Sequence, residues 1–219
     1  HLSQSFDNRD VLIEDGKISM IREHLATDST VYDFRIDGTG KYLIAGMVDA
    51  HAHFPSEEDI ETYFMMNLIN GITTLRSMRG EEWHLKLKEK TTIHPNLILG
   101  APPFRRSDSI SIAEREKLVK KYKEEGYDFL KILSLPDSSS FTELVRSSKK
   151  HSINVAGHCS SPISYQKAID SKVYESIEHL HGISRLRSLD EIIATTNACV
   201  ENEVAFAPTT DWYVRTPFS

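Results

Sequence analysis

The sequence predicts an α/β fold built on a parallel sheet. Three observations carry that expectation. Beyond residue 43, seven apolar, strand-like runs follow one another; helical segments separate most of them; and several of those helices open on a recognisable cap. A parallel neighbour is reached only by a crossover long enough to hold a helix, so repeated strand–helix units of this length imply parallel strands.

The elements before residue 43 have another style. "DVLIE" and "KISMIRE" flank Asp15-Gly16, a pair suited to the tight turn of a β-hairpin. "FRIDGTG" reads as a further strand and turn. Residues 1–43 are therefore expected to form part of a small β domain, and 44–219 the α/β body.

Within that body the strands are "LIAGMVDAH", "GITTLRSM", "NLILGAPPF", "YDFLKILSL", "INVAGHCS", "YESIEHL" and "VAFAPTT". Ser56-x-x-Asp59, Ser111-x-x-Glu114, Ser140-x-x-Glu143 and Ser188-x-x-Glu191 each resemble a capping box, in which two side chains satisfy the orphan donors of a helix start. Gly71 and Gly126 stand where a helix end calls for left-handed backbone. The segment "AEREKLVKKYKEE" is so charged that its helix belongs on the outside.

Two architectures satisfy this pattern: an open doubly wound sheet and a closed (β/α)8 barrel. No GxGxxG follows any strand, which argues against the dinucleotide-binding form of the first. Seven strands are one short of a closed barrel, and the expectation is a barrel incomplete at its C-terminus.

Composition narrows the function. With 39% hydrophobic and 26% charged residues in 219, the chain has material for a sizeable core. A formal net charge of -6 argues against nucleic-acid or anionic-membrane partners. No apolar run approaches the roughly 20 residues of a membrane helix, and no signal-peptide pattern is present. Cys159 and Cys199 form no CxxC pair, so a reducing, cytoplasmic setting is expected.

The chemistry gathers at strand ends. In "MVDAHAHF", Asp49, His51 and His53 alternate onto one face of a strand. Their i, i+2 spacing of roughly 7 Å lets both imidazoles lean onto one metal ion, and Asp49, one pleat deeper, is placed to accept an imidazole N–H. His158 ends "INVAGH", and His179 and His181 end "YESIEHLH". Lys131 sits inside the apolar run "YDFLKIL", sharing a face with Phe129 and Leu133. As an ammonium it offers no lone pair. Burial lowers its pKa, and a neutral amine reacts with CO2 to give a carbamate whose two oxygens can bridge two metals. Singly, each of these residues is as well explained by hydrogen bonding or by a snorkelling lysine; candidate ligands at four strand ends together favour a metal site.

In this order, "LIAGMVDAHAHF", "GITTLRSM", "YDFLKIL", "VAGHC" and "ESIEHL" resemble the amidohydrolase superfamily, and within it the branch of imidazolonepropionase-like enzymes and metal-dependent Xaa-Pro dipeptidases. The resemblance runs from about Val11 to Thr210. It implies a (β/α)8 barrel flanked by a small β-sandwich, of which residues 1–43 would be a part. It further implies that His51 and His53 bind one metal and that Lys131, carboxylated, bridges to a second held by His158 and His179. Zn2+, two ions, is the expected cofactor, with a bridging hydroxide as nucleophile.

The sequence departs from this pattern in places. Ala45 stands where the family often has Pro, and Ser77 follows Arg76 where Asp is frequent. His181 rivals His179, which is preferred because it falls in "SIEH". The catalytic aspartate expected on an eighth strand has no counterpart, and Asp211 comes too early to be assigned that role. The expected function is amide or peptide bond hydrolysis of the dipeptidase kind, on a small-molecule or dipeptide substrate. The alternatives are a mononuclear deaminase or cyclic-amide hydrolase, with Lys131 structural, and a metal-free barrel serving as scaffold or binding module. Homo-oligomerisation is left open. Arg105 and Arg106 are candidates to hold a carboxylate, and Tyr165 and Trp212 to wall a pocket.

Overall fold

The computed structural model describes residues 5–108, 110–159, 162–179 and 186–209. The chain divides into two compact units, His1–Ile44 and Ala45–Ser219.

In the first unit β1 (Arg9–Glu14) and β2 (Lys17–Glu23) pair antiparallel. Asp15 and Gly16 both take positive φ, 50° and 72°, as a two-residue hairpin turn requires. The strand expected in "FRIDGTG" is not formed, although its turn is. The Thr39 N–H donates to Asp37 Oδ1 at 2.9 Å, and the Lys41 N–H to the Gly38 carbonyl at 2.9 Å. A strand exists only where a neighbour accepts its ladder, and none of the described residues pairs with Phe34–Ile36.

In the second unit strands and helices alternate: β3 (Met47–Ala52), α1 (Ile60–Ile69), β4 (Ile72–Ser77), α2 (Glu82–Leu87), β5 (Asn96–Leu99), α3 (Ile112–Glu125) and β6 (Phe129–Ile132). They continue as α4 (Ser138–His151), β7 (Asn154–Gly157), α5 (Tyr165–Asp170), β8 (Tyr174–Glu178), α6 (Leu189–Glu201) and β9 (Ala205–Ala207). Among the described residues every strand pairing here is parallel. The order is β3-β4-β5 and β6-β7-β8-β9, and the bridges Gly100↔Phe129 and Phe104↔Ile132 join the two sets. A doubly wound sheet reverses its order at a switch point. Among the described residues this one does not, which is the barrel alternative.

Curvature confirms it. Five strand spacings separate β3 from β8, roughly 24 Å in a flat sheet. Yet His51 on β3 stands 2.5 Å from Glu178 on β8. The sheet has curled until distant strands face each other across an interior. Among the described residues β3 and β9 are not paired, so the ring is left open there.

Alternation sorts the side chains into two layers. Leu75, Leu97, Leu99, Leu130, Ile132, Val155 and Ile177 pack outward with the helices in the main core. Phe129, Met78 and Ala156 form a smaller cluster on the inner side, with Ile98 against it. The caps of α3 and α6 are as expected: Ser111 and Glu114 exchange capping bonds, and Ser188 Oγ accepts from the Glu191 N–H. Two differ. Helix α1 starts after Asp59, and Ser56 Oγ donates to the Asp59 carboxylate instead of capping the backbone. Helix α4 starts after Asp137, whose backbone is extended and whose carboxylate accepts the Ser140 N–H at 2.7 Å, leaving Ser140 inside the helix. Gly126 and Gly71 have φ of 94° and 80°, the left-handed backbone expected of them. Among the described residues no helix is long and apolar enough to cross a membrane.

Candidate active site

The C-terminal strand ends bring the histidines together. The ring centres of His53 and His51 are 5.2 Å apart, those of His51 and His179 4.3 Å, and those of His179 and His158 5.1 Å. Two imidazoles bound to one zinc at about 2.0 Å stand with ring centres roughly 5 Å apart, so these spacings suit pairs that share an ion. The contacts run pairwise along a chain. Among the described residues no group of three or more His, Cys, Asp or Glu is arranged to hold an ion. His181, Asp211 and Trp212 lie outside the described residues.

Lys131 is 2% exposed on β6, and among the described residues its Nζ has no hydrogen-bond partner. Burial pulls its pKa from 10.5 down to about 8; the Glu178 carboxylate opposes the shift and the Arg76 guanidinium adds to it. His53 is also held below its usual value, by lost hydration first and then by the charges of His51, Lys131 and Arg79. Both shifts favour the neutral forms, which are those able to react with CO2 or to ligate a metal.

His179 reaches this cluster by an unexpected route. Glu178 and His179 are consecutive, and alternation would send them to opposite faces. Instead β8 ends at Glu178, and His179 takes a left-handed backbone at φ 58°, its N–H donating to the Ala207 carbonyl at 2.9 Å. Both side chains then approach His51. His179 Nδ1 stands 2.5 Å from Thr209 Oγ1.

Glu178 is the residue that sequence reasoning missed. It is fully buried, and its Oε2 is 2.5 Å from His51 Nδ1. Burial raises its pKa, but the hydrogen bonds from His51 and Ser176 and the charge of Lys131 outweigh this and bring it down to about 2. Asp49, the expected imidazole acceptor, takes the His51 backbone N–H instead, at 3.0 Å. A signal was present in "YESIE", where an acid occupies an apolar strand.

Arg76 crosses the interior from β4 to β8. It donates to Glu175 at 2.6 Å, to Ser176 Oγ at 3.0 Å and to Glu178 at 3.2 Å, and its guanidinium lies 4.2 Å from the centre of the Phe129 ring. Ser77 is buried on the other parity, and its hydroxyl has no hydrogen-bond partner among the described residues. Tyr165 is a core residue at the start of α5, its ring 5.9 Å from that of Phe206. The backbone N–H of Arg105 donates to the Asp108 carboxylate and that of Arg106 to Ser134 Oγ.

The profile of the amidohydrolase family matches residues 42–211. Adenine deaminase of Clostridium perfringens is 26% identical over 213 residues, covering 87% of this chain and 36% of the relative. Dihydroorotase of Bacillus cereus is 25% identical over 206 residues, covering 84% and 45%. The chain thus spans less than half the length of these curated relatives. Among solved structures, bottromycin amidohydrolase superposes with a TM-score of 0.61 at 24% identity, covering 87% of this chain and 43% of that one. The 5-methylcytosine deaminase of Klebsiella pneumoniae, liganded with 5-fluorocytosine, gives 0.65 at 14% identity, covering 90% and 61%. At such identities the structures speak for the fold.

Proposed function

Because the chain belongs to the amidohydrolase family, we propose that it is a metal-dependent hydrolase of carbon–nitrogen bonds that cleaves an amide or peptide bond in a small molecule or dipeptide. The observation that carries this reading is the chain of four imidazoles, from the ends of β3, β7 and β8, with ring centres 4.3 to 5.2 Å apart. His51 and His53 would hold one ion, and His158 and His179 a second. Lys131, as a carbamate, would supply oxygens to both. The donor set fits: His51 Nε2 and Lys131 Nζ are buried polar atoms without a hydrogen-bond partner among the described residues, as groups meant for a ligand would be. Nitrogen and oxygen donors suit zinc. When bound, such ions polarise a carbonyl and lower the pKa of water towards neutrality.

The protein's own part is to hold these donors ready. Near pH 8 the Lys131 amine is substantially neutral. Its nitrogen can then add to CO2: an N–C bond forms, one C=O pair moves onto oxygen, and the amine proton leaves to solvent. Phe129, Met78 and Ala156 pack together on the inner side of the strands.

A second reading is deamination of a heterocycle or opening of a cyclic amide at a single ion, with Lys131 unmodified. The names of the relatives, adenine deaminase and dihydroorotase, favour that reaction chemistry. Metal content, intact native mass and turnover of dipeptides, cyclic amides and amino-heterocycles, measured on zinc-dialysed full-length protein, separate the two. Two ions, one added CO2 and amide cleavage support the first. One ion, plain lysine and deamination or ring opening support the second. A protein that takes up no metal, and so acts as a scaffold, removes both.

A further inference from the structure

We propose that Glu178 is a positioning residue for the His51 imidazole, accepting its Nδ1 proton so that the Nε2 lone pair is presented for a metal ion. This rests on the reading of His51 as a ligand.

The geometry points to it in three ways. Glu178 is 0% exposed and cannot swing away: Oε1 accepts from Ser176 Oγ at 2.6 Å and from Arg76 at 3.2 Å, while Oε2 faces His51 Nδ1 at 2.5 Å. An ionised carboxylate only accepts, so the His51 proton must sit on Nδ1, and a neutral imidazole with Nδ1–H has its lone pair on Nε2. That Nε2 is buried and has no hydrogen-bond partner among the described residues. A carboxylate behind a ligating imidazole fixes both its tautomer and its ring orientation.

The competing explanation is that Glu178 serves only as a counter-ion for Arg76. Arg76 already has a closer acid, Glu175, at 2.6 Å against 3.2 Å for Glu178. The left-handed turn at His179 also has a purpose on this view. It lets one strand end deliver a ligand and the group that orients another ligand side by side.

Glu178→Gln is a sharp test because it is nearly isosteric. Arg76 can only donate, so the amide oxygen must take the Oε1 side and the amide NH2 must face His51. The ring is then driven to the opposite tautomer, with Nε2–H where the ion would bind. Long-range 1H–15N NMR of histidine-labelled, metal-free full-length protein reads the tautomer, and zinc titration reads the affinity. The wild type should show Nδ1–H at His51. The variant should show Nε2–H, with zinc affinity at one site reduced about 10- to 100-fold while the other histidine signals stay in place. An Nε2–H form in the wild type overturns the proposal even if the variant does not fold. So does an unchanged tautomer, or an unchanged zinc affinity in the variant. A wild type with Nδ1–H that takes up no zinc instead removes the metal reading and this role with it.

Discussion

Replacing Lys131 by methionine should stabilise the metal-free protein at neutral pH. The side chain is 2% exposed, and its amine has no hydrogen-bond partner among the described residues. A fall in pKa from 10.5 to about 8 is a statement about stability. At roughly 1.4 kcal/mol per pH unit, keeping this group protonated inside the fold costs on the order of 3 kcal/mol. Below pH 8 both states carry the proton and the full cost stands. Between 8 and 10.5 the unfolded chain holds a proton that the folded chain has lost, so stability rises with pH. Above that window both are neutral and the cost is gone. Methionine has similar length and no charge, so Lys131→Met should gain up to about 3 kcal/mol at pH 7. That figure is an upper bound, because the Lys131 charge also helps to hold Glu178 ionised. Denaturant unfolding in metal-free, CO2-depleted buffer at pH 7, 8, 9 and 10 reads the effect. A variant no more stable than wild type at pH 7, or a difference that stays flat with pH, would refute the reasoning. A lysine that works against the fold where it stands is what a group serving a site looks like.

Other expectations follow from the same geometry. The His53 imidazole should titrate with a midpoint below 6.5 in metal-free protein, read by NMR; a midpoint at or above that value contradicts the assigned lost hydration and neighbouring charge. Arg76→Leu leaves Glu178 buried without its guanidinium and should cost about 3–5 kcal/mol in denaturant unfolding. A loss under about 1 kcal/mol would mean that the bridge from β4 to β8 is only decorative. At Gly157, φ is 141° and a Cβ would stand 2.1 Å from the Ile132 carbonyl oxygen. Gly157→Ala should therefore fail to give a cooperative thermal transition, and a wild-type melting curve would show that β6 and β7 can part without penalty.

What the sequence revealed and what it hid divide along local and non-local physics. The Asp15-Gly16 turn, the Ser111 cap and the left-handed Gly126 were legible because a few adjacent residues determine each of them. The seven strands were legible from apolar runs. Phe34–Ile36 misled, since a strand is made by its partner and apolar content alone cannot say whether one exists. Asp137 and Ser140 were rival caps three residues apart, and the carboxylate won. At the site, His51, His53, His158, His179 and Lys131 could be singled out by residue type and strand position. Glu178 was passed over despite being an acid in an apolar strand, because strict alternation turned it away from the face given to His179. Only the left-handed backbone at His179 places both beside His51. The reach of Arg76 across the barrel depends on the curling of the sheet, which no short window of sequence encodes.

The most direct test is anomalous diffraction at the zinc edge from crystals of the full-length protein grown with zinc. Two peaks are expected, one against the His51 and His53 nitrogens and the other against His158 and His179, with extra density on Lys131 between them. Scattering that places zinc elsewhere, or leaves these four imidazoles without an ion, would contradict the account.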